Sequence, residues 1–309
     1  MRPVRRFALV GSLCLLAACS VKPPAMDESH ATHDMDGTAT PVVGHAMAPA
    51  QDPAIPAGAL QAKERLDKSP RHGEWAKIAW EPGSKDSLMA WVVYPEKKRQ
   101  APVVVVIHEI FGLSTWVRGV ADQLAADGFI SVAPDLLSAK RGGPTSDELA
   151  GDSAVKLIRA VTPDEMNKGV LASARYGMSL PAALKKYGVV GYCWGGSASF
   201  NHAVFNAPGL GAAVVYYGTT PKAEALATVN VPVLGLDGEN DQRVNATIPV
   251  ADSTLKALGK TYEKEVFTGA GHGFLRAQEG PNSANGANLA AAQKAWPRTI
   301  GWFRKYLGG

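Results

Sequence analysis

The sequence predicts an α/β protein with a mostly parallel central sheet and helices on both faces. Three observations carry this. Val103-Val104-Val105-Val106-Ile107 is a continuous β-branched run, the pattern of a strand buried on both faces of a parallel sheet. Short apolar runs alternate with helical stretches from Glu74 to the end of the chain. The residues with chemistry to offer follow directly on such runs, at the carboxyl ends of strands, where open α/β sheets bind ligands.

In chain order, Glu74 to Trp80 and Leu88 to Tyr94 read as two strands parted by the Pro82-Gly83-Ser84 turn. The Val103 to Ile107 strand follows Pro102. Thr115 to Asp127 is helical in pattern and stops at Gly128, and Phe129 to Ala133 is a strand closed by Pro134-Asp135. Thr162-Pro163-Asp164-Glu165 is a helix start, predicting a helix over Pro163 to Gly177. Strand Gly188 to Gly191 comes next, and Ala212 to Tyr217, Val231 to Leu236 and Tyr262 to Phe267 are three further strands. Ile248 to Leu258 is helical, and Ala287 to Leu307 is a long terminal helix with Trp296-Pro297 as its breaking point.

Composition narrows the class. With 46% hydrophobic and 19% charged residues, the 309-residue chain has a globular balance and room for one sizeable domain. Its formal charge of +4 includes Arg2, Arg5 and Arg6, and falls to about +1 without them. No basic stripe with interleaved aromatics is present, so no nucleic-acid partner is expected. Three cysteines, Cys14, Cys19 and Cys193, cannot build a disulfide framework or a cysteine zinc site.

The amino terminus reads as an address. Arg2 to Arg6 is a positive segment, and Phe7 to Ala18 is apolar but too short to span a bilayer. Leu16-Ala17-Ala18-Cys19 resembles the lipobox of bacterial lipoproteins, which implies cleavage before Cys19 and a diacylglycerol on its thiol. Ser20, in place of an aspartate, resembles sorting to the outer membrane. Residues 1–18 are therefore expected as a signal peptide, 19–70 as a flexible tether and 71–309 as the folded domain, held on the periplasmic side of a bacterial envelope. Cys193 would then be the sole free thiol in an oxidising compartment. In the tether, His30, His33 and His45 with Met26, Met35 and Met47 could hold a soft metal weakly, but nothing fixes a geometry and a solvated linker is the preferred reading.

The chemistry centres on Gly191-Tyr192-Cys193-Trp194-Gly195-Gly196, a G-x-nucleophile-x-G elbow with cysteine as nucleophile, opening onto the helical stretch Ser197-Ala198-Ser199-Phe200. A sharp strand-to-helix turn exposes the thiol and places it at the positive end of a helix, which favours thiolate. Asp241 follows the Val231 to Leu236 strand, and His272 follows the Tyr262 to Phe267 strand between two glycines. The order nucleophile, acid, histidine is that of the α/β-hydrolases. His272 is expected to reach Cys193 while Asp241 fixes its tautomer. Asp135 and Asp237 are rival acids; the first precedes the elbow and the second lies nearer its strand, so Asp241 is preferred. His108-Glu109-Ile110-Phe111-Gly112 follows the Val103 to Ile107 strand, and Ile110 N–H with Trp194 N–H would form the oxyanion hole. Glu109 would act as a base beside the thiol, raise its pKa by repulsion, or serve as a salt-bridge partner at the loop.

His-Glu-Ile-Phe-Gly, Ala-Pro-Asp-Leu, Gly-Tyr-Cys-Trp-Gly-Gly and Gly-His-Gly-Phe, in this order over roughly residues 75–307, resemble the dienelactone hydrolases, or carboxymethylenebutenolidases. The resemblance implies an α/β-hydrolase fold, a triad of Cys193, Asp241 and His272, and activation of the thiol by Glu109 when substrate binds. It also implies that Arg276 helps hold a substrate carboxylate, with Arg141, Arg159 or Arg175 as its complement. No cofactor and no metal are implied. The expected enzyme is a monomeric hydrolase of a small ester or lactone; the lipobox and tether depart from the compact soluble members. A catalytically silent, lipid-anchored binding protein of the same fold is the alternative, separated by labelling the thiol and following activity. A metal-handling lipoprotein is a third, tested by deleting residues 22–62.

Overall fold

The computed structural model describes residues 52–96, 99–149, 151–280 and 282–308. The expected signal peptide, Cys14, Cys19, and the histidines and methionines of the expected tether lie outside the described residues. The strands are β1 (Gly73–Ala79), β2 (Ser87–Val93), β3 (Ala101–Ile107), β4 (Ile130–Asp135), β5 (Ala183–Tyr192), β6 (Leu210–Tyr216), β7 (Val233–Gly238) and β8 (Tyr262–Phe267). They form one eight-stranded sheet in the order β1-β2-β4-β3-β5-β6-β7-β8. β2 pairs antiparallel with both β1 and β4, and every other neighbouring pair is parallel.

The helices are α1 (Ala62–Asp67), α2 (Thr115–Ala126), α3 (Ser138–Arg141), α4 (Gly151–Arg159), α5 (Pro163–Ser179), α6 (Trp194–Phe205), α7 (Gln242–Asn245), α8 (Ile248–Ala257) and α9 (Ala287–Phe303). β3 explains the two-faced burial: Val104 and Val106 point into a core shared with α2 and α9, whereas Val103, Val105 and Ile107 point into one shared with α5, α6 and α8. The helix start at residue 162 is a full capping box, Thr162 Oγ1 accepting from Glu165 N–H and Glu165 accepting from Thr162 N–H.

The connection from β3 runs one way to β4, and β5 lies on the other side of β3. Strand order thus reverses between β3 and β5, and their carboxyl ends open a crevice. The loop beginning at His108 and the elbow at Cys193 are the two lips of that crevice.

Three expectations are corrected. The tether was expected to run through residue 70, yet residues 52–70 belong to the folded domain. Ile55 and Ala62 are buried, Arg65 donates to the carbonyls of Ile55 and Pro53 and to Gln123 Oε1, and Gln278 Nε2 donates to Pro56 O at 2.8 Å. Only a few apolar side chains do this anchoring, too few to show a period. β5 starts five residues before the expected Gly188, because the exposed Lys185 and Lys186 interrupt its apolar pattern toward its amino end. α9 does not break at Pro297. Pro297 lies on the solvent face with Gln293, whose carbonyl loses its helical donor where water can replace it, and the opposite face is held by buried Ala295, Trp296, Thr299 and Ile300.

Candidate active site

Cys193 sits at φ 57°, ψ −114°, a conformation an L-residue keeps only when its surroundings enforce it. Two glycines allow that enforcement. A Cβ on Gly191 would fall 1.8 Å from Gly195 O, and one on Gly195 would fall 2.3 Å from Ile107 O and 2.4 Å from His108 O. The first turn of α6 therefore rests directly on the ends of β3 and β5, which no side chain would permit. Cys193 N–H donates to Tyr216 O at 3.1 Å, tying the elbow to β6 as well.

The thiol is partly buried. Burial, followed by the charge of Glu109, pushes its pKa up; Trp194 N–H, the Arg243 cation and Ile110 N–H act in the opposite direction. The two expected oxyanion donors, Ile110 and Trp194, are thus the backbone groups whose amides pull the thiol's pKa down.

His272 and Asp241 are brought together. His272 Nδ1 lies 2.5 Å from Asp241 Oδ2, and the Asp241 carboxylate is 6% exposed against 36% for the imidazole. Asp241 also caps α7, Oδ1 accepting from Val244 N–H, so the carboxylate is fixed before it meets the histidine. The rival Asp237 is buried at the end of β7, its Oδ1 has no hydrogen-bond partner among the described residues, and burial with the nearby Asp241 charge pushes its pKa up to about 8. Asp135 is engaged elsewhere, accepting from Leu137 N–H and Thr145 N–H.

Glu109 is buried, and Arg276 Nε lies 2.8 Å from its Oε2, an ion-pair contact in which the N–H is not aligned for a hydrogen bond. Burial raises the Glu109 pKa to about 7, against the opposing pull of Arg276. Arg276 packs over the Phe111 ring at 5.5 Å and lines a cavity of about 360 Å³ together with Lys63, Phe111, Thr115 and Asp147. None of Arg141, Arg159 and Arg175 lines it. All three point to solvent, and Arg141 donates to Pro144 O. Lys63, from a segment expected to be tether, is the other cation of this cavity.

Two side chains at the site carry no signal in the sequence strong enough to give them a role. Tyr217, just past β6, is buried at φ 39° and meets the His272 ring edge-on at 5.2 Å. His108 is fully buried and stacks on Trp194, ring centroids 5.8 Å apart. In the sequence it stands out only as the first residue of the His-Glu-Ile-Phe-Gly block, directly after a strand. Among the described residues, no group of three or more His, Cys, Asp or Glu is placed to hold a metal ion.

The comparisons agree with this geometry. The model of the dienelactone hydrolase family matches residues 88–307. A Salmonella typhimurium protein named for carboxymethylenebutenolidase is 30% identical over 243 residues, covering 74% of this chain and 86% of the relative. A solved structure from Klebsiella pneumoniae named for dienelactone hydrolase is 26% identical with a TM-score of 0.61, covering 76% of this chain and 100% of that one. The dienelactone hydrolase-like phosphotriesterase P91 from metagenomic libraries shares the fold at 21% identity, TM-score 0.64, over 76% and 99% of the two chains. With its sheet, its elbow and a family match that spans most of its length, the chain belongs to the dienelactone hydrolase family and is a hydrolase of the α/β-hydrolase superfamily.

Proposed function

We propose that the chain hydrolyses a small ester or lactone bearing a carboxylate, through Cys193, His272 and Asp241, while anchored to the bacterial envelope by lipid on Cys19. The observation that carries the catalytic reading is the 2.5 Å contact of His272 with Asp241, on loops at the same sheet end as the strained Cys193. A substrate carboxylate drawn to Arg276 competes with Glu109 for the guanidinium. Glu109, freed and with its pKa near neutrality, takes the thiol proton. The thiolate attacks the carbonyl carbon, and the electron pair moved onto oxygen meets Ile110 N–H and Trp194 N–H. Glu109 passes that proton on to the departing oxygen, and His272 takes one from the water that adds to the acyl carbon and returns it to the sulfur as the acyl group leaves. Lys63 lines the same cavity as Arg276, its Nζ paired with Asp67 at 2.6 Å.

The relatives named for carboxymethylenebutenolidase make enol-lactones the first substrates to try. Purified protein and its Cys193→Ala variant are assayed on a dienelactone and on an activated aryl ester, each with and without a carboxylate. Turnover that survives in Cys193→Ala refutes the nucleophile. The anchor is tested by expression of the full chain: mass spectrometry finds a lipidated Cys19 amino terminus in the membrane fraction, and Cys19→Ser releases the protein to the soluble fraction. An unmodified Met1 terminus would end the lipoprotein reading.

A further inference from the structure

The oxyanion hole has two halves on different segments of the chain, and His108 touches both. Its Nδ1 lies 2.7 Å from Glu109 O, and its Nε2 accepts from Leu136 N–H at 3.2 Å. The second contact settles the tautomer: a nitrogen that accepts carries no proton, so Nδ1 bears the hydrogen and donates to the Glu109 carbonyl. Gly112 N–H donates to the same oxygen at 3.2 Å.

A trans peptide carries its C=O and N–H on opposite sides, and no cis bond occurs among the described residues. Fixing Glu109 O therefore fixes the direction of Ile110 N–H, the amide of the β3 loop that lowers the Cys193 pKa. The other donor, Trp194 N–H, belongs to the residue whose indole lies nearly parallel to the His108 ring, 19° between planes. The loop is pinned from the β4 side as well: Asp135 accepts from Thr145 N–H, and Thr145 Oγ1 accepts from Leu113 N–H at 2.8 Å.

We propose that His108 is a positioning residue of the oxyanion hole, its Nδ1–H holding the Glu109 carbonyl so that Ile110 N–H points at the developing oxyanion, and its ring bracing Trp194. This rests on the reading of Cys193 as an acyl-accepting nucleophile. Oxyanion donors act chiefly when a carbonyl oxygen gains charge. Their smaller effect on the thiol, whose pKa Trp194 N–H and Ile110 N–H lower, drops out when both rates are taken on the plateau of the alkylation–pH profile, where the thiol is fully ionised. Alkylation of the thiol by iodoacetamide forms an S–C bond and expels iodide, with no oxyanion; acylation by an aryl ester needs one.

The test compares the two rates in wild type, His108→Leu and His108→Asn, with thermal midpoints alongside. In His108→Leu, acylation falls by about 10- to 100-fold while alkylation stays within about twofold. His108→Asn keeps an amide donor near the Nδ1 position and recovers acylation to within about fivefold, although Leu136 N–H loses its acceptor and the midpoint drops. The proposal is overturned if both rates fall together in His108→Leu, if neither falls, or if His108→Asn acylates as poorly as His108→Leu. Should His108→Leu not fold, His108→Asn decides: acylation kept despite a lower midpoint upholds the role, and acylation lost in step with the midpoint overturns it. A wild type that alkylates but acylates no ester overturns both this proposal and the hydrolase mechanism, whereas an active wild type with an unchanged ratio in His108→Leu overturns this one alone.

Discussion

Glu109→Gln should make the protein more stable in base and less active at every pH. The reason lies in the cost of keeping Glu109 ionised inside the domain. Its pKa rises from 4.5 to about 7, with burial as the main cause and Arg276 only partly offsetting it. The folded state therefore holds the proton more tightly than the unfolded chain. Stability is greatest below the unfolded pKa and falls as pH rises through the window between the two values, at about 1.4 kcal/mol per pH unit. Across that window the loss is about 3 kcal/mol, and above it the curve is flat for this group. An uncharged glutamine of the same shape has no such step. Groups that Glu109 does not influence, such as the buried Asp237, cancel in the difference, and Cys193, which Glu109 does influence, ionises only above that window. Urea denaturation of wild type and Glu109→Gln near pH 5 and near pH 9 should thus give a difference that grows by up to about 3 kcal/mol in favour of the variant.

The same substitution reports on the thiol. Glu109 is the second cause, after burial, of the raised Cys193 pKa, so its loss should move the midpoint of the alkylation–pH profile downward. Hydrolysis should nonetheless fall, because the group that takes the thiol proton is gone. A stability difference that does not change with pH would refute the argument about ionisation. A variant with wild-type turnover would refute the assignment of Glu109 to proton transfer while leaving the ionisation argument standing.

Three further outcomes are expected. Asp241→Asn keeps the packing of α7 but presents the wrong partner to His272 Nδ1, and kcat on an aryl ester should fall by roughly 10²- to 10⁴-fold with little change in KM. Gly195→Ala places a methyl within 2.3 Å of Ile107 O; the elbow must open, and circular dichroism together with the alkylation rate should register loss of the exposed thiol geometry rather than a selective loss of turnover. Arg65→Ala removes the guanidinium that gathers Ile55 O, Pro53 O and Gln123 Oε1. Limited proteolysis should then cut within residues 52–70 while the rest of the domain survives.

What could be read from the chain, and what could not, divides by the range of the interaction. The valine run of β3, the capping box at Thr162 and the elbow glycines each declare themselves within a few residues, because backbone geometry and burial act locally. Order along the chain pointed to Asp241 rather than Asp237, and Asp241 is the carboxylate that lies against His272 in the fold. Contacts that join distant segments leave no such mark. Nothing in residues 52–70 announces that Gln278 will bond Pro56 O, or that Ala59 N–H will bond Arg276 O at 2.9 Å. Arginines between the third strand and the elbow looked plausible as substrate ligands because sequence position carries no direction; in the fold they face solvent.

His108 shows the same division inside a single loop. As the residue after a buried strand it was visible, but its role depends on which ring nitrogen holds the proton, and that is decided by Leu136, at the end of the neighbouring strand β4. The parallel pairing of β3 with β4 brings that N–H to the imidazole, and the reversal of strand order brings the elbow to its other side. One sheet register therefore sets the tautomer, the tautomer sets a peptide plane, and the peptide plane sets where an oxyanion can be held. A chain with the same loop and elbow but with a proline at position 136 would lack that N–H, leave the tautomer free, and lose acylation ahead of alkylation, as His108→Leu is expected to do.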